Sequence, residues 1–162
     1  MMFGFYKKVR VNKKTVDKFL NCILSDTEGQ SSGPISKTSW NTGGFVKTDL
    51  EFLFDQHLRN KIEKKVGKVD IIDLWYQTYN ANSGSFHDWH IHPKSDYSIT
   101  FYIQMKRDKS LFTQFRIGGK TKVAKASVGD CVIFNSSIVH RAPPNMTDTD
   151  KIIVSANLTK VK

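Results

Sequence analysis

Hydrophobic residues recur with two different periods along this chain of 162 residues. In segments 14–25 and 49–67, apolar side chains return every three to four positions, which is the spacing of an amphipathic helix. Asp49 stands at the start of the second segment and is its predicted N-cap. The segment 26–34, rich in turn-forming residues, separates the two. The pattern predicts that the first part of the chain, residues 1–67, is helical, with two helices.

From residue 68 onward the pattern changes to short runs rich in β-branched and aromatic residues, divided by Gly, Asn, Ser and Pro. Such runs are typical of strands. The predicted strands are 69–80, 86–93, 97–105, 110–117, 120–127, 130–136 and 151–158. Short strands joined by turns predict a mainly β (α+β) fold, a compact antiparallel sandwich or jelly roll. We expect one domain over residues 1–162, in which two helices pack on a β core spanning 68–160.

Composition narrows the function classes only a little. The formal net charge is +10, but the basic residues are spread along the chain, which favours a solvated surface and leaves nucleic acid an open partner without a motif. No apolar run approaches the roughly 20 residues that cross a bilayer, so no membrane association is expected. The N-terminus lacks the order of a secretory signal, which favours a cytoplasmic protein. Cys22 and Cys131 form no CxxC pair, so we expect two buried thiols and no disulfide.

Three of the five histidines fall within FHDWHIHP, residues 86–93. Side chains two positions apart on a strand share a face, so His90 and His92 are predicted to lie together with Asp88. His87, Trp89 and Ile91 are predicted to face the other way, where Trp89 and Ile91 pack. Two imidazoles at i and i+2 can chelate one divalent metal ion. Polar strand histidines without a metal are the alternative interpretation.

His140 is the candidate third ligand. It ends GDCVIFNSSIVH, residues 129–140, which reads as turn, strand and loop. In a double-stranded β-helix this part of the chain comes close to the strand that carries the first pair. Three protein ligands on one side of an ion leave other positions open, and an open metal site is typical of catalysis.

The last predicted strand offers a second candidate site. Strand alternation aligns Lys151, Ile153, Ser155 and Asn157 on one face. This polar row, which includes a cation, could bind an anionic co-substrate. The alternative is the polar outer face of an edge strand.

Together these segments resemble the 2-oxoglutarate/Fe(II)-dependent oxygenase superfamily, and most closely a branch found in bacteriophages and marine bacteria. The resemblance covers about residues 36–158. The segments that carry it are SWNTGG (39–44), HIHPKSDYSITFYIQ (90–104), GDCVIFNSSIVH followed by RAPPN (129–145), and KIIVSAN (151–157).

The resemblance implies a double-stranded β-helix, also called a cupin-like jelly roll. It implies an oxygenase that couples decarboxylation of 2-oxoglutarate, giving succinate and CO2, to hydroxylation of a C–H bond in another substrate. The implied Fe(II) ligands are His90, His92 and His140, with Asp88 in reserve because most of the superfamily has a carboxylate where His92 stands. The implied 2-oxoglutarate contacts are Lys151, which replaces the usual Arg, Ser155, Tyr102 and Ser98.

Two alternatives stay open at this point. A cupin-type metalloenzyme would share the fold and the HxH pair without using 2-oxoglutarate. A non-catalytic jelly roll, such as a binding or virion-accessory protein, would fit the missing carboxylate. The substrate is equally open: a small molecule, a peptidyl side chain or a nucleic acid. The protein is expected to act in the cytoplasm, and the resemblance to the bacteriophage branch extends this expectation to the cytoplasm of an infected host.

Overall fold

The computed structural model describes residues 4–42 and 44–162; residues 1–3 and Gly43, which belongs to the SWNTGG motif, lie outside the described part. The described helices are α1 (Lys13–Leu24), α2 (Phe45–His57) and α3 (Arg59–Val66). The strands are β1 (Tyr6–Arg10), β2 (Gln30–Ser32), β3 (Ile35–Thr38), β4 (Val69–Tyr79), β5 (His87–His90), β6 (Tyr97–Gln104), β7 (Gln114–Ile117), β8 (Lys120–Val123), β9 (Asp130–Asn135), β10 (His140–Ala142) and β11 (Lys151–Lys160).

The first predicted helix is confirmed as α1. Asn12 caps it, since its side-chain oxygen accepts a hydrogen bond from the Thr15 amide at 2.9 Å. One face of α1 buries Val16, Phe19 and Ile23. Capping and the apolar face together explain why this short segment is helical.

The second predicted helix is two helices, and its predicted N-cap is wrong. α2 begins at Phe45, after Gly44, whose φ of 79° lies in the left-handed region that glycine adopts without strain. Asp49 therefore lies inside α2. The backbone departs from helical geometry at Leu58, with φ of −114°, and α3 follows.

The segment predicted to be helical also contributes three strands, β1, β2 and β3. They add to the edges of the larger sheet, where short strands with exposed positions show little hydrophobic alternation; all three residues of β2 are exposed. Downstream, the predicted strand 110–117 begins with a 3₁₀ turn, Lys109–Leu111, and only Gln114–Ile117 is extended. β10 was not predicted, because three residues are too few for a pattern.

The strands form two antiparallel sheets. The larger has the order β1-β9-β6-β11-β4-β3-β2, and the smaller has the order β5-β10-β7-β8. β11 is central in the larger sheet and pairs with both β4 and β6. The mainly β, jelly-roll class is therefore confirmed.

The two faces of β11 pack against different layers. Ile152, Val154 and Ala156 join the core under the helices, which also contains Phe19 and Phe54. Ile153 faces the second core, which lies between the two sheets. Full burial of a phenylalanine contributes about 1.5–3 kcal/mol. The predicted alternation of this strand is confirmed, and its polar row consequently points between the sheets.

Within residues 4–42 and 44–162, no helix has the length and apolar character needed to cross a membrane. Cys22 lies on α1 and is half-buried, Cys131 lies on β9 and is buried, and both are free thiols. Burial raises the pKa of Cys22 to about 11 and that of Cys131 further still.

Candidate metal centre

His90 and His140 lie directly opposite each other on neighbouring strands. β5 and β10 are far apart in sequence but pair antiparallel in the smaller sheet, with His140 in register with His90. Their ring centroids are 4.2 Å apart. The rings of Phe134 and His140 pack edge to face, with centroids 4.7 Å apart, and hold the buried imidazole in place.

His92 completes a group of three. The nitrogen atoms that His90, His92 and His140 can offer lie within 4.8 Å of one another. β5 ends at His90, so His92 is not placed by strand alternation as predicted. It is held in the following loop, where its amide donates to the Ser136 carbonyl at 3.0 Å and its own carbonyl accepts from the Ser95 hydroxyl at 3.1 Å.

A β-bulge corrects the prediction for His87. His140 and Ala142, two positions apart on β10, pair with His90 and His87, three positions apart on β5. The extra residue breaks the alternation, so His87 and His90 come to the same side. Their rings stack at 3.9 Å with an interplanar angle of 18°. Sequence reasoning missed His87 because a bulge leaves no signal in a four-residue strand.

Asp88, the reserve ligand, is exposed, and its carboxylate accepts a hydrogen bond from the Trp89 amide at 2.7 Å. Among the described residues, the group that could share one ion consists of the three histidines alone. The donor set is therefore three imidazoles without a carboxylate.

Hydrogen bonds to the backbone orient two of the rings. Nδ1 of His90 lies 2.6 Å from the Asp88 carbonyl, and Nδ1 of His140 lies 2.9 Å from the Ile138 carbonyl. A carbonyl only accepts, so Nδ1 must carry the proton in both rings. The Nε2 lone pairs are then free for a metal, and such backbone partners are usual for metal-binding histidines.

The third ring has a side-chain partner. Nδ1 of His92 lies 3.3 Å from the Asn157 amide, on β11. The other end of that amide lies 2.9 Å from the Ser98 hydroxyl. The oxygen and nitrogen of an amide side chain are assigned from their hydrogen-bond partners. If a metal binds Nε2 of His92, Nδ1 carries the proton and donates it, so the Asn157 oxygen must then face His92.

The electrostatics of the site favour neutral imidazoles. Burial, and then the neighbouring imidazoles, lower the pKa of His92 to about 4 and that of His140 to about 3. The pKa of His87 falls to about 4 for the same reasons, and burial lowers the pKa of His90. Metal ligation needs the deprotonated ring, so at neutral pH these histidines are already in the binding form. Neutral imidazole suits first-row divalent metals, iron included, so the donors present fit such an ion.

A narrow inner cavity adjoins the three histidines and runs between the sheets. Its volume is about 20 Å³, and polar side chains from several strands line it: Ser98, Thr100, Thr113, Ser155 and Asn157. The predicted polar face of β11 thus meets Ser98 and Thr100 of β6 at the histidines. Ser98 and Ser155 are both at the wall of this cavity.

Tyr102 and Lys151, the other two 2-oxoglutarate contacts that the resemblance implies, lie behind that wall. The Tyr102 hydroxyl donates to the Thr113 hydroxyl at 2.8 Å. Lys151 is fully buried; its ammonium donates to the Leu111 carbonyl and lies 5.3 Å from the centre of the Tyr79 ring. Among the described residues no carboxylate pairs with it, and burial lowers its pKa to about 7. A buried, unpaired cation is costly, and an anion beside it would relieve that cost.

An outer cavity of about 280 Å³ lies on the other side of the same histidines. Trp40 and Thr38 contribute to its wall from β3 and the loop after it, and Trp75 and Gln77 contribute from β4. The Gln77 amide lies 3.4 Å from Nδ1 of His87 and accepts from the Tyr79 hydroxyl at 2.9 Å. Gln77 lies two positions from both Trp75 and Tyr79 and shares their face of β4. The strand was predicted from the sequence, but the polar role of Gln77 was not.

No family model matches the chain, and no curated protein matches its sequence. Solved structures do match it along nearly its whole length. The viral collagen prolyl hydroxylase from Paramecium Bursaria Chlorella virus-1, in its 2-oxoglutarate complex, is 15% identical; the match covers 99% of this chain and 98% of that one, with a TM-score of 0.64. The fold is that of the 2-oxoglutarate/iron(II) oxygenases.

Two further structures share this double-stranded β-helix. A prolyl-4-hydroxylase from Pseudomonas putida is 13% identical, with 99% of this chain and 95% of that one covered and a TM-score of 0.68. HygX from Streptomyces hygroscopicus, with nickel and 2-oxoglutarate bound, is 10% identical, with 97% and 83% covered and a TM-score of 0.73. The predicted double-stranded β-helix is thereby confirmed.

Proposed function

We propose that the protein is a non-haem Fe(II) and 2-oxoglutarate-dependent oxygenase, acting as a hydroxylase. The observation that carries this proposal is the convergence of His90, His92 and His140 between the sheets of this fold, at the mouth of a cavity with a polar lining. These histidines are oriented by hydrogen bonds and border one polar cavity, which is not expected of histidines that merely lie on a surface. The metal, 2-oxoglutarate and O2 together would supply the oxidising chemistry: one oxygen atom of O2 would enter succinate as CO2 is released, and the other would enter the C–H bond of the substrate.

In this proposal the three histidines hold the ion. Backbone carbonyls orient His90 and His140, and Asn157 orients His92. Because all three ligands are neutral, the protein leaves the full charge of a divalent ion uncompensated. A dianionic co-substrate supplies the missing negative charge, which supports 2-oxoglutarate as the partner of this donor set.

Lys151 is the proposed partner of the far carboxylate of 2-oxoglutarate, with Ser155, Ser98 and Tyr102 as further hydrogen-bond donors. The inner cavity has room for only one or two water molecules at its present volume. Entry of 2-oxoglutarate therefore requires its wall to open, and Lys151 to exchange the Leu111 carbonyl for the carboxylate. Lysine forms such an ion pair but lacks the two-pronged geometry of arginine.

The test is an anaerobic titration of the Fe(II)-loaded protein with 2-oxoglutarate. We expect a weak visible charge-transfer band that saturates and, in air, formation of succinate even without a substrate. Lys151→Ala should keep the iron and lose the band at the same 2-oxoglutarate concentration. A protein that binds iron but never develops the band would contradict the proposal.

The all-imidazole donor set also supports a second candidate, a cupin-type metalloenzyme that does not use 2-oxoglutarate. In that case the metal should bind with equal affinity, and addition of 2-oxoglutarate should change neither the spectrum nor the products. A bacteriophage origin, and with it action in the cytoplasm of the infected host, is proposed on the resemblance to that branch of the superfamily alone.

A further inference from the structure

The wall of the outer cavity carries no Lys, Arg, Asp or Glu among the described residues. If 2-oxoglutarate binds as proposed, its two negative charges compensate the metal, and the surface left facing the outer cavity has no net charge. Such a wall gives no compensation for the desolvation of a charged ligand.

Two tryptophans form the apolar part of this wall. Trp40 and Trp75 meet edge to face, with ring centroids 4.2 Å apart and an interplanar angle of 85°. Trp75 is buried, whereas Trp40 is 40% exposed and so stands at the solvent side of the cavity. Aromatic walls of this kind favour apolar or planar groups.

One polar atom of the wall lacks a partner. Nε1 of Trp75 is, among the described residues, the buried side-chain nitrogen or oxygen without a hydrogen bond. The other buried polar groups nearby are satisfied: Gln77 bonds to His87 and Tyr79, and Thr38 bonds to the Tyr76 carbonyl. Trp75 borders both the inner and the outer cavity. A buried indole N–H usually has an acceptor, and an acceptor supplied by a bound ligand would satisfy this one.

One cluster of basic residues lies away from the outer cavity. Lys8 and Arg10 on β1 and Lys61, Lys64 and Lys65 on α3 share one surface depression. β1 is at one edge of the larger sheet, whereas β3, which borders the outer cavity, lies toward the other edge. A nucleic acid whose phosphates bound this depression would therefore be held away from the outer cavity.

We propose that the outer cavity receives an uncharged group with a hydrogen-bond acceptor oxygen, such as an amide, which Trp40 and Trp75 contact and to which the Trp75 indole N–H donates. This inference rests on the proposed function for the charges of the metal and 2-oxoglutarate that border the cavity in the loaded protein, and it is therefore tested in the metal-free protein as well. The binding itself depends on the cavity wall and not on iron chemistry.

The three tryptophans of the chain allow a direct test. Trp89 lies outside both cavities, where the guanidinium groups of Arg116 and Arg141 lie 4.3 and 4.8 Å from its ring centre. The indole N–H resonances of ¹⁵N-labelled protein, assigned with Trp40→Phe, Trp75→Phe and Trp89→Phe, report each ring separately. The full chain, zinc-loaded with 2-oxoglutarate present and also metal-free, is titrated with benzamide, benzoate and thymidine monophosphate.

We expect benzamide to shift the Trp75 and Trp40 resonances saturably and to leave Trp89 unmoved. Benzoate and thymidine monophosphate should bind at least about tenfold more weakly, because the cavity wall does not compensate their charge. Trp75→Phe should weaken benzamide about tenfold by removing the donor, while Trp89→Phe should change nothing.

Three results would overturn the proposal. The first is that benzoate or thymidine monophosphate binds at these two rings as well as benzamide does. The second is that the Trp75 resonance moves with 2-oxoglutarate alone and no further with benzamide, which would assign the N–H to the co-substrate. The third is that benzamide causes no shift at millimolar concentration. Failure of the iron and succinate assays would leave these outcomes unchanged, so the two proposals fail separately.

Discussion

His90 and His140 are cross-strand partners in the antiparallel pair of β5 and β10, with ring centroids 4.2 Å apart. The pairing of two short strands therefore builds the candidate metal centre, and a bound ion would tie those strands to the loop that carries His92. A ligand that binds the folded chain but not the unfolded chain stabilises the folded state by mass action. Variants that bind the metal more weakly should consequently show a smaller increase in melting temperature when the metal is added.

The first prediction concerns His140. Its replacement, His140→Ala, removes one of three ligands and leaves a gap beside Phe134. We expect the affinity for divalent cobalt or iron to fall at least about hundredfold, which exceeds the loss usual for a partner outside the metal shell. Titration calorimetry with cobalt, together with the visible spectrum of the bound ion, measures this directly.

His57 provides the matched control. It lies at the end of α2, outside the group of three histidines. His57→Ala should keep the affinity and the increase in melting temperature that metal produces. Equal losses in the two variants would show that the metal binds elsewhere.

The second prediction concerns Asn157, which we expect to orient His92 through Nδ1. Asn157→Leu removes the acceptor and should weaken metal binding about 10- to 100-fold, the usual effect of losing such a partner. Asn157→Asp supplies an oxygen in the same place and should retain most of the affinity. The pair of variants separates hydrogen bonding from packing, because leucine and aspartate are both close to asparagine in size.

Thr159→Val serves as the control on the same strand, since the Thr159 hydroxyl bonds to Asp96 at the surface. It should leave metal affinity unchanged. If Asn157→Asp loses as much affinity as Asn157→Leu, Asn157 does not act as an acceptor for His92.

The sequence predicted the parts of the site that follow regular periods. The alternation of β11 placed Ser155 and Asn157 on the correct face, and the HxH pair with His140 pointed to the three histidines that the fold brings together. The burial of alternate residues in a strand has a strong hydrophobic signature, which explains why the prediction for β11 held. The three histidines were predicted from their spacing in the sequence, and only His90 and His140 lie on strands.

The remaining features depend on tertiary structure. The bulge that turns His87 toward His90 arises from strand pairing, which no local pattern encodes. The loop position of His92 depends on a hydrogen bond to the Ser136 carbonyl, from a distant part of the chain. Trp40 could not be assigned to the outer cavity, since its contact with Trp75 requires β3 to pair with β4.

The third prediction is a pH dependence of 2-oxoglutarate binding. Burial lowers the pKa of Lys151 to about 7 in the free protein, so the amine loses its charge above that pH. The carboxylate needs the ammonium form, and we therefore expect the affinity of the nickel-loaded protein to fall by about tenfold per pH unit from pH 7 to pH 9. Titration calorimetry at fixed ionic strength gives the slope.

Two variants isolate the lysine in this experiment. Lys151→Arg stays charged throughout this range and should flatten the dependence, whereas Lys151→Met should bind weakly at every pH. The candidate metal ligands do not titrate here, because their pKa values are lowered below the usual range of histidine. A slope that persists in Lys151→Met would have to come from another group.

The fourth prediction is that the cation proposed for co-substrate binding destabilises the protein when no co-substrate is present. Lys151 is fully buried, and its ammonium bonds to a carbonyl and to no carboxylate among the described residues. Lys151→Met replaces it with an apolar chain of similar length, and we expect the free energy of unfolding at pH 6 to rise by about 1–4 kcal/mol. Denaturant titration measures the difference.

The pH dependence of that gain has a defined sign. Below pH 7 the lysine is charged in both the folded and the unfolded chain, so the full penalty of burial applies. Between pH 7 and its ordinary pKa of 10.5, the unfolded chain binds the proton and the folded chain does not, so wild-type stability rises with pH. The advantage of Lys151→Met should therefore shrink from pH 7 to pH 10. A constant advantage over this range would mean that the buried amine remains charged.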